Sequence, residues 1–142
     1  MKPRNSKRSK YAEIALLAAK AARKRANPKD AWKVAAKKYF PDSPSSQLKC
    51  CARCAFLGLI DAGLIHGVQS GNYTTSVLNK HYAIKAVKLL SKNPHLCKSP
   101  MEMWRRILTT GILQHNGQMD VVAALWDEGF IVISPSASKN SI

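Results

Sequence analysis

Acidic residues are scarce in this chain: 8 Asp and Glu stand against 23 Lys and Arg in 142 residues, for a net charge of +15 and a pI near 10.0. The scarcity is uneven. Residues 1 to 53 hold 15 Lys and Arg against only Glu13, Asp30 and Asp42, a net of +12, whereas residues 54 to 142 hold 8 against 5. Such an excess attracts polyanions, and it speaks to association and solubility rather than to fold. No apolar run approaches the ~20 residues that a membrane-spanning helix needs, so no membrane partner is expected. The run Ile14 to Ala19 is short, follows Glu13 and precedes Lys20, Arg23, Lys24 and Arg25, so it reads as helix rather than as a secretory leader. Glycine is sparse too. A phosphate-cradling loop needs several glycines and a following Lys-Ser pair, and none is present. The four cysteines, three of them in one predicted helix, are not the spread framework of a secreted disulfide-rich domain. A reducing, cytoplasmic setting is the expectation.

Helix signals dominate what remains. MKPRNSKRSK carries five basic residues and no acid, and reads as an arm over residues 1–10. A first helix runs from Ser9 or Lys10 to Ala26, rich in Ala and Leu and ending in a cationic cluster that complements the helix dipole. Asn27 and Pro28 break it and start a second helix, Pro28 to Tyr39, because Pro is tolerated in the first turn after an Asn cap. Trp32, Ala35, Ala36 and Tyr39 face inward on it, leaving Lys33, Lys37 and Lys38 outside. Residues 41–46, PDSPSS, form a loop. The third helix starts at Ser46 and is apolar nearly all round through Ile60, so it reads as the buried centre of the fold; Gly63 stops it.

After Gly63, the glycine-punctuated LIHGVQSGNYTTS suggests a turn or small hairpin. A fourth helix extends from Thr75 or Ser76 to Lys92. A fifth starts at Ser99 and Pro100 with Glu102 completing a capping box, and a sixth covers Gln118 to Glu128, ahead of a short strand from Phe130 to Ile133. The fold class is therefore all-α: one compact bundle of about six helices spanning residues 11–133, with a tail at 134–142. FLGLIDAGLI at 56–65 and VAALWDEGFI at 122–131 share Leu, Asp, Gly and Ile at matching positions; a common glycine-capped helix end accounts for most of that, and duplication is the weaker explanation.

The blocks CCARCAFLGLIDAGLI, GNYTTSVLNKHYAIKAVKLL and HNGQMDVVAALW, in this order, resemble a family of small bacterial proteins classed as a domain of unknown function. Some members resemble products of integron gene cassettes. The resemblance covers residues 11 to about 131 and implies a compact, mainly helical bacterial protein. It brings no catalytic role.

Several constellations carry possible chemistry. Cys51 and Cys54 are spaced C-x-x-C and Cys50 and Cys54 lie one turn apart, so with His95 and Cys97 they reach the number of ligands zinc requires; an apolar helix is nevertheless where cysteine acts as a small hydrophobe, and no metal or cofactor is assigned. Cys51 lies too deep in its helix for the dipole to activate it for redox work. His115, Asn116, Gln118 and Asp120 form the densest polar cluster, with Tyr73 on a second rim, and define a possible ligand pocket; equally, Asn116 caps a helix, Asp120 favours its positive end and His115 bonds locally. The order of helices one to three and a glycine-edged segment also matches a winged helix, with Gln47, Lys49 and Arg53 facing DNA and Val68 to Tyr73 as wing. The apolar circumference of the third helix opposes that placement. The favoured reading is a non-enzymatic binding protein whose partner is nucleic acid, held through phosphate contacts by Lys20, Arg23, Lys24, Arg25, Lys33, Lys37 and Lys38. The alternatives are a ligand-binding protein or enzyme using the His115 to Asp120 loop, and a homo-oligomer or adaptor built on the alanine stripe of the first helix.

Overall fold

A computed structural model describes residues 8–108 and 117–132. Within them the chain forms seven α-helices and one 3-10 turn. In order they are α1 (Lys10–Arg23), α2 (Pro28–Tyr39), the single turn α3 (Pro44–Gln47), α4 (Cys50–Asp61), α5 (Val77–Lys92), the 3-10 turn Pro94–Lys98, α6 (Pro100–Ile107) and α7 (Gln118–Asp127). The all-α bundle expected from the periodicity is what forms.

Local chemistry sets most of the boundaries. Ser9 Oγ accepts the Ala12 N–H at 3.2 Å, and Asn27 Oδ1 accepts from Lys29 and Asp30, each satisfying donors that a helix start leaves free. The third expected helix is divided. Ser43, not Ser46, caps a first turn that begins with Pro44, because Ser43 has Pro at the next position to preset the turn. Lys49 then opens α4 with no side-chain cap. The expected capping box at α6 is also absent: Ser99 makes no side-chain cap bond, and the Glu102 carboxylate turns instead to Arg105 and Arg106. Charged guanidinium donors one turn away outcompete a backbone N–H for that carboxylate.

Two helices form the centre rather than one. Eight of the twelve residues of α4 and seven of the ten of α7 are buried, and the two pack on each other, α4 also against α5 and α7 also against α1. Phe56, Leu57, Leu59 and Ile60 are at most 1% exposed. Burying side chains of this size contributes about 1.5–3 kcal/mol apiece, so these four rival the ~5–15 kcal/mol net stability of an ordinary domain. The cysteine-bearing first turn of α4 is more open: Cys50 is exposed and Cys51 half-buried, while Cys54 is 1% exposed. Trp32 of α2 leans on Phe56, ring centres 5.3 Å apart. Gly58 lets α5 come close, since a Cβ there would fall 2.7 Å from the Lys80 backbone.

The matching helix ends noted in the sequence meet in space. Gly63 and Gly129 both take positive φ (75° and 78°), and each turns its chain by the same pair of bonds: Leu64 N–H to Leu59 O and Phe130 N–H to Leu125 O at the outer position, Gly63 to Ile60 and Gly129 to Trp126 at the inner. The two exits then pair antiparallel at Ile65 and Ile131, His66 donating to Phe130 O and Val132 to Leu64 O. A local two-fold relation thus joins α4 and α7. Of the turn or small hairpin expected after the third helix, the turn forms, with Val68 N–H bonded to Ile65 O, and the bridge stands where the hairpin and the strand from Phe130 were expected. Among the described residues there is one bridged pair and no strand, because the segment after His66 is tied back to α4 rather than to itself. No described helix is long and apolar enough to cross a membrane.

Candidate nucleic-acid interface

The inward stripe of α2 is Ala31, Trp32, Ala35 and Ala36, all buried. Helical spacing then places Lys29, Lys33 and Lys37 one above another on the outside, with Lys38 beside them. These four, together with Lys20, Lys24 and Arg25 at the end of α1, are exposed. The described ion pairs lie elsewhere: Arg8 with Asp127 and Glu128, and Arg105 and Arg106 with Glu102. Like charges one turn apart weaken a helix by about 0.2–0.5 kcal/mol a pair. The lysine column of α2 carries that repulsion with Asp30 as the helix's one carboxylate, exposed beside Lys29 and Lys33 but in none of the described ion pairs, and it is the arrangement a string of phosphates would relieve.

Arg23 differs from its neighbours. Its Nε donates to His66 O at 2.8 Å, and its guanidinium carbon sits 4.1 Å from the centre of the Phe130 ring. It therefore clasps both arms of the α4–α7 pairing. Only its terminal nitrogens remain to meet phosphate, so it is not a mobile surface cation like the lysines. Beside it, Arg25 takes φ 79°. The two arginines, with Asn27, Gln69 and Tyr73, line a cleft of about 510 Å³ between the α1–α2 corner and the loop after α4.

Of the second candidate site, the described members Tyr73, Gln118 and Asp120 do not share one pocket. His115 and Asn116 lie outside the described residues. Gln118 is 3% exposed and its Nε2 donates to Asn79 Oδ1, while Asn79 Nδ2 donates to Ser76 Oγ; this interior polar chain fastens α7 to the start of α5. Asp120 lines a separate pocket of about 210 Å³ with Arg8, Cys97, Lys98 and Asp127. Tyr73 belongs to the arginine cleft. Gly117, at φ 93°, occupies the cap position of α7, and a Cβ there would meet Ala52 and Tyr11 at 3.2 Å.

The winged-helix arrangement fails on α4. Beyond its more open first turn α4 is buried and cannot enter a groove, Gln47 Nε2 is spent on Phe40 O at 2.6 Å, and the Arg53 Nε is enclosed. The cysteines do not gather either: among the described residues no group of three His, Cys, Asp or Glu could hold a metal. Cys50 Sγ lies 3.0 Å from Cys54 Sγ. Burial around Cys50, reinforced by Cys54 and opposed by Arg53, pushes its thiol up to about 11. Cys97 is raised as well, by burial first and then by Asp127.

Two anchoring residues escaped the sequence reading. Asp61 accepts the Tyr73 N–H at 2.8 Å and the Thr74 N–H at 2.9 Å, fixing the loop that presents Tyr73. Asp127 accepts from Arg8 at 2.7 Å. A signal existed for both. Each acid ends its helix, where the dipole disfavours negative charge, and such a position calls for a compensating donor. A family model described as a family of unknown function, DUF6979, matches residues 8–132. No curated protein and no solved structure matches the chain.

Proposed function

Because the chain belongs to DUF6979, a family of unknown function, its activity must be read from the molecule itself, and we propose that it is a non-enzymatic, cytoplasmic nucleic-acid-binding protein that grips phosphates through the α1–α2 corner. The observation that carries this reading is the exposed column Lys29, Lys33 and Lys37, with Lys38, Lys24, Lys20 and Arg25 around it, none with a carboxylate partner among the described residues. Lysine on a flexible stem is a point charge rather than a fork, so the grip reads backbone charge and not base sequence. Affinity comes from counterions released as phosphates are neutralised. Arg23, already clasped, adds one oriented contact.

The test is fluorescence anisotropy with mixed-sequence probes at low salt. Reversing Lys33, Lys37 and Lys38 to Glu weakens binding at least ~10-fold, whereas reversing Lys85, Lys88 and Lys92 on α5, an equal change in net charge, leaves it within about 2-fold. Equal losses from the two triple variants would show that overall charge, not this face, holds the ligand.

A further inference from the structure

The cleft beside the lysine column combines three features that a phosphate-binding surface alone does not require. First, Arg23 is preorganised. Its Nε is bonded to His66 O, its guanidinium carbon sits over the Phe130 ring, and Gly67 leaves room for its stem, since a Cβ there would come within 3.3 Å of Arg23 Cγ. Its terminal nitrogens have no partner among the described residues. A guanidinium held in this way loses little freedom when it forks onto a phosphate.

Second, Tyr73 is fixed as a rigid aromatic wall. Asp61 holds its backbone N–H, and the ring lies so close over Gly71 that a Cβ there would fall 2.5 Å from its Cε2. Third, both residues line one concavity with Arg25, and its volume of about 510 Å³ falls within the ~300–1,000 Å³ range of small-molecule sites. Paired guanidinium groups recognise a phosphate, and an aromatic face recognises the flat face of a base. A base in a duplex is stacked on both sides and cannot be offered to such a wall without being extruded.

We propose that the Arg23–Arg25–Tyr73 cleft takes one unpaired nucleotide, with its phosphate on the two arginines and its base against Tyr73, so that the protein prefers single-stranded over duplex nucleic acid. The proposal rests on the phosphate-grip reading and adds to it a strand form and a base contact.

The experiment compares a single strand with a hairpin duplex of equal phosphate number at equal salt, using the full chain and the variants Y73F, Y73L and R25G. One base stacked on an aromatic side chain is worth roughly a tenfold gain in affinity. The full chain and Y73F therefore bind the single strand about tenfold more tightly than the duplex. Y73L, which keeps apolar bulk against the core but has no π face, binds both forms alike with duplex affinity unchanged. R25G, which removes a guanidinium while placing glycine where φ is already positive, weakens the single strand more than the duplex. Equal affinity of the full chain for both forms, or a preference that persists in Y73L, overturns the cleft assignment and leaves the phosphate grip standing. Failure of the full chain to bind either form overturns the grip itself and this inference with it.

Discussion

Removing the Asp61 carboxylate should detach the loop that carries Tyr73 from α4. Asp61 accepts two backbone N–H groups, from Tyr73 at 2.8 Å and Thr74 at 2.9 Å. A hydrogen bond to a charged group contributes about 1.5–3 kcal/mol, and because Asp61 is only half-buried the lower end applies, so D61A loses about 3 kcal/mol. With an unfolding entropy of roughly 2.1 cal/mol/K per residue near the midpoint, the 142-residue chain has about 0.3 kcal/mol/K. The Tm then falls by about 10 °C. D61N retains one neutral acceptor oxygen and keeps about half of the stabilisation. Thermal denaturation followed by circular dichroism reads both values, and amide hydrogen exchange at Tyr73 and Thr74 reads the loop directly, with protection lost in D61A. A D61A variant within about 0.5 kcal/mol of the parent, with both amides still protected, would refute the assignment of Asp61 as the loop's anchor.

Gly58→Ala reverses the usual benefit of replacing a helical glycine. The gain of about 1 kcal/mol in propensity is outweighed by overpacking of about 1–3 kcal/mol where α5 closes over the site, so chemical denaturation shows a net loss. Arg25→Gly relieves a left-handed conformation costing about 1–2 kcal/mol and returns about 0.4–1 kcal/mol of freedom to the unfolded chain; its melting temperature rises by about 2–3 °C, and a fall would contradict the backbone assignment. Cys50 is exposed yet slow to alkylate: a rise from 9.0 to about 11 lowers its thiolate fraction at neutral pH by about 100-fold, and the compensating rise in nucleophilicity leaves it about tenfold slower than an unperturbed thiol. Since its folded pKa lies above the unfolded one, the thiol's contribution is complete below pH 9 and is lost as pH rises toward 11, which a pH series of melts in that window reveals as a decline.

Much of the helical skeleton was legible because its punctuation is local. Asn27 before Pro28, Gly63 and Gly129 act through bonds within one turn, so the sequence alone locates them. Ser46 and Ser99 show where that logic ends. Ser46 lost to Ser43, whose neighbouring proline made a better start, and Glu102 was claimed by two arginines on its own helix face. The burial of α4 was readable from its apolar circumference, but its equal, α7, was not singled out, since the partner of a buried helix is a tertiary fact. The pairing of Ile65 with Ile131 is of the same kind: the shared Asp-x-Gly pattern was visible, but its meaning lay in two chain exits meeting. For the site, exposure of Lys33, Lys37 and Lys38 follows from the α2 stripe. Arg23 could not be told from Arg25 by any neighbour in sequence, because what distinguishes it is Phe130, more than a hundred positions away. The sequence groups Tyr73 with Gln118 and Asp120, whereas Gln118 serves the interior and Asp120 opens onto another pocket.

The central claim, that an unpaired column of lysines binds phosphate, is tested most directly by the dependence of affinity on salt. Each phosphate neutralised contributes a slope of about −0.9 to a plot of log affinity against log salt on duplex, so a grip of four to six contacts gives a slope of roughly −4 to −5. Reversing Lys33, Lys37 and Lys38 flattens that slope by about three units. A slope near zero for the parent, or one that the triple reversal leaves unchanged, would contradict the account.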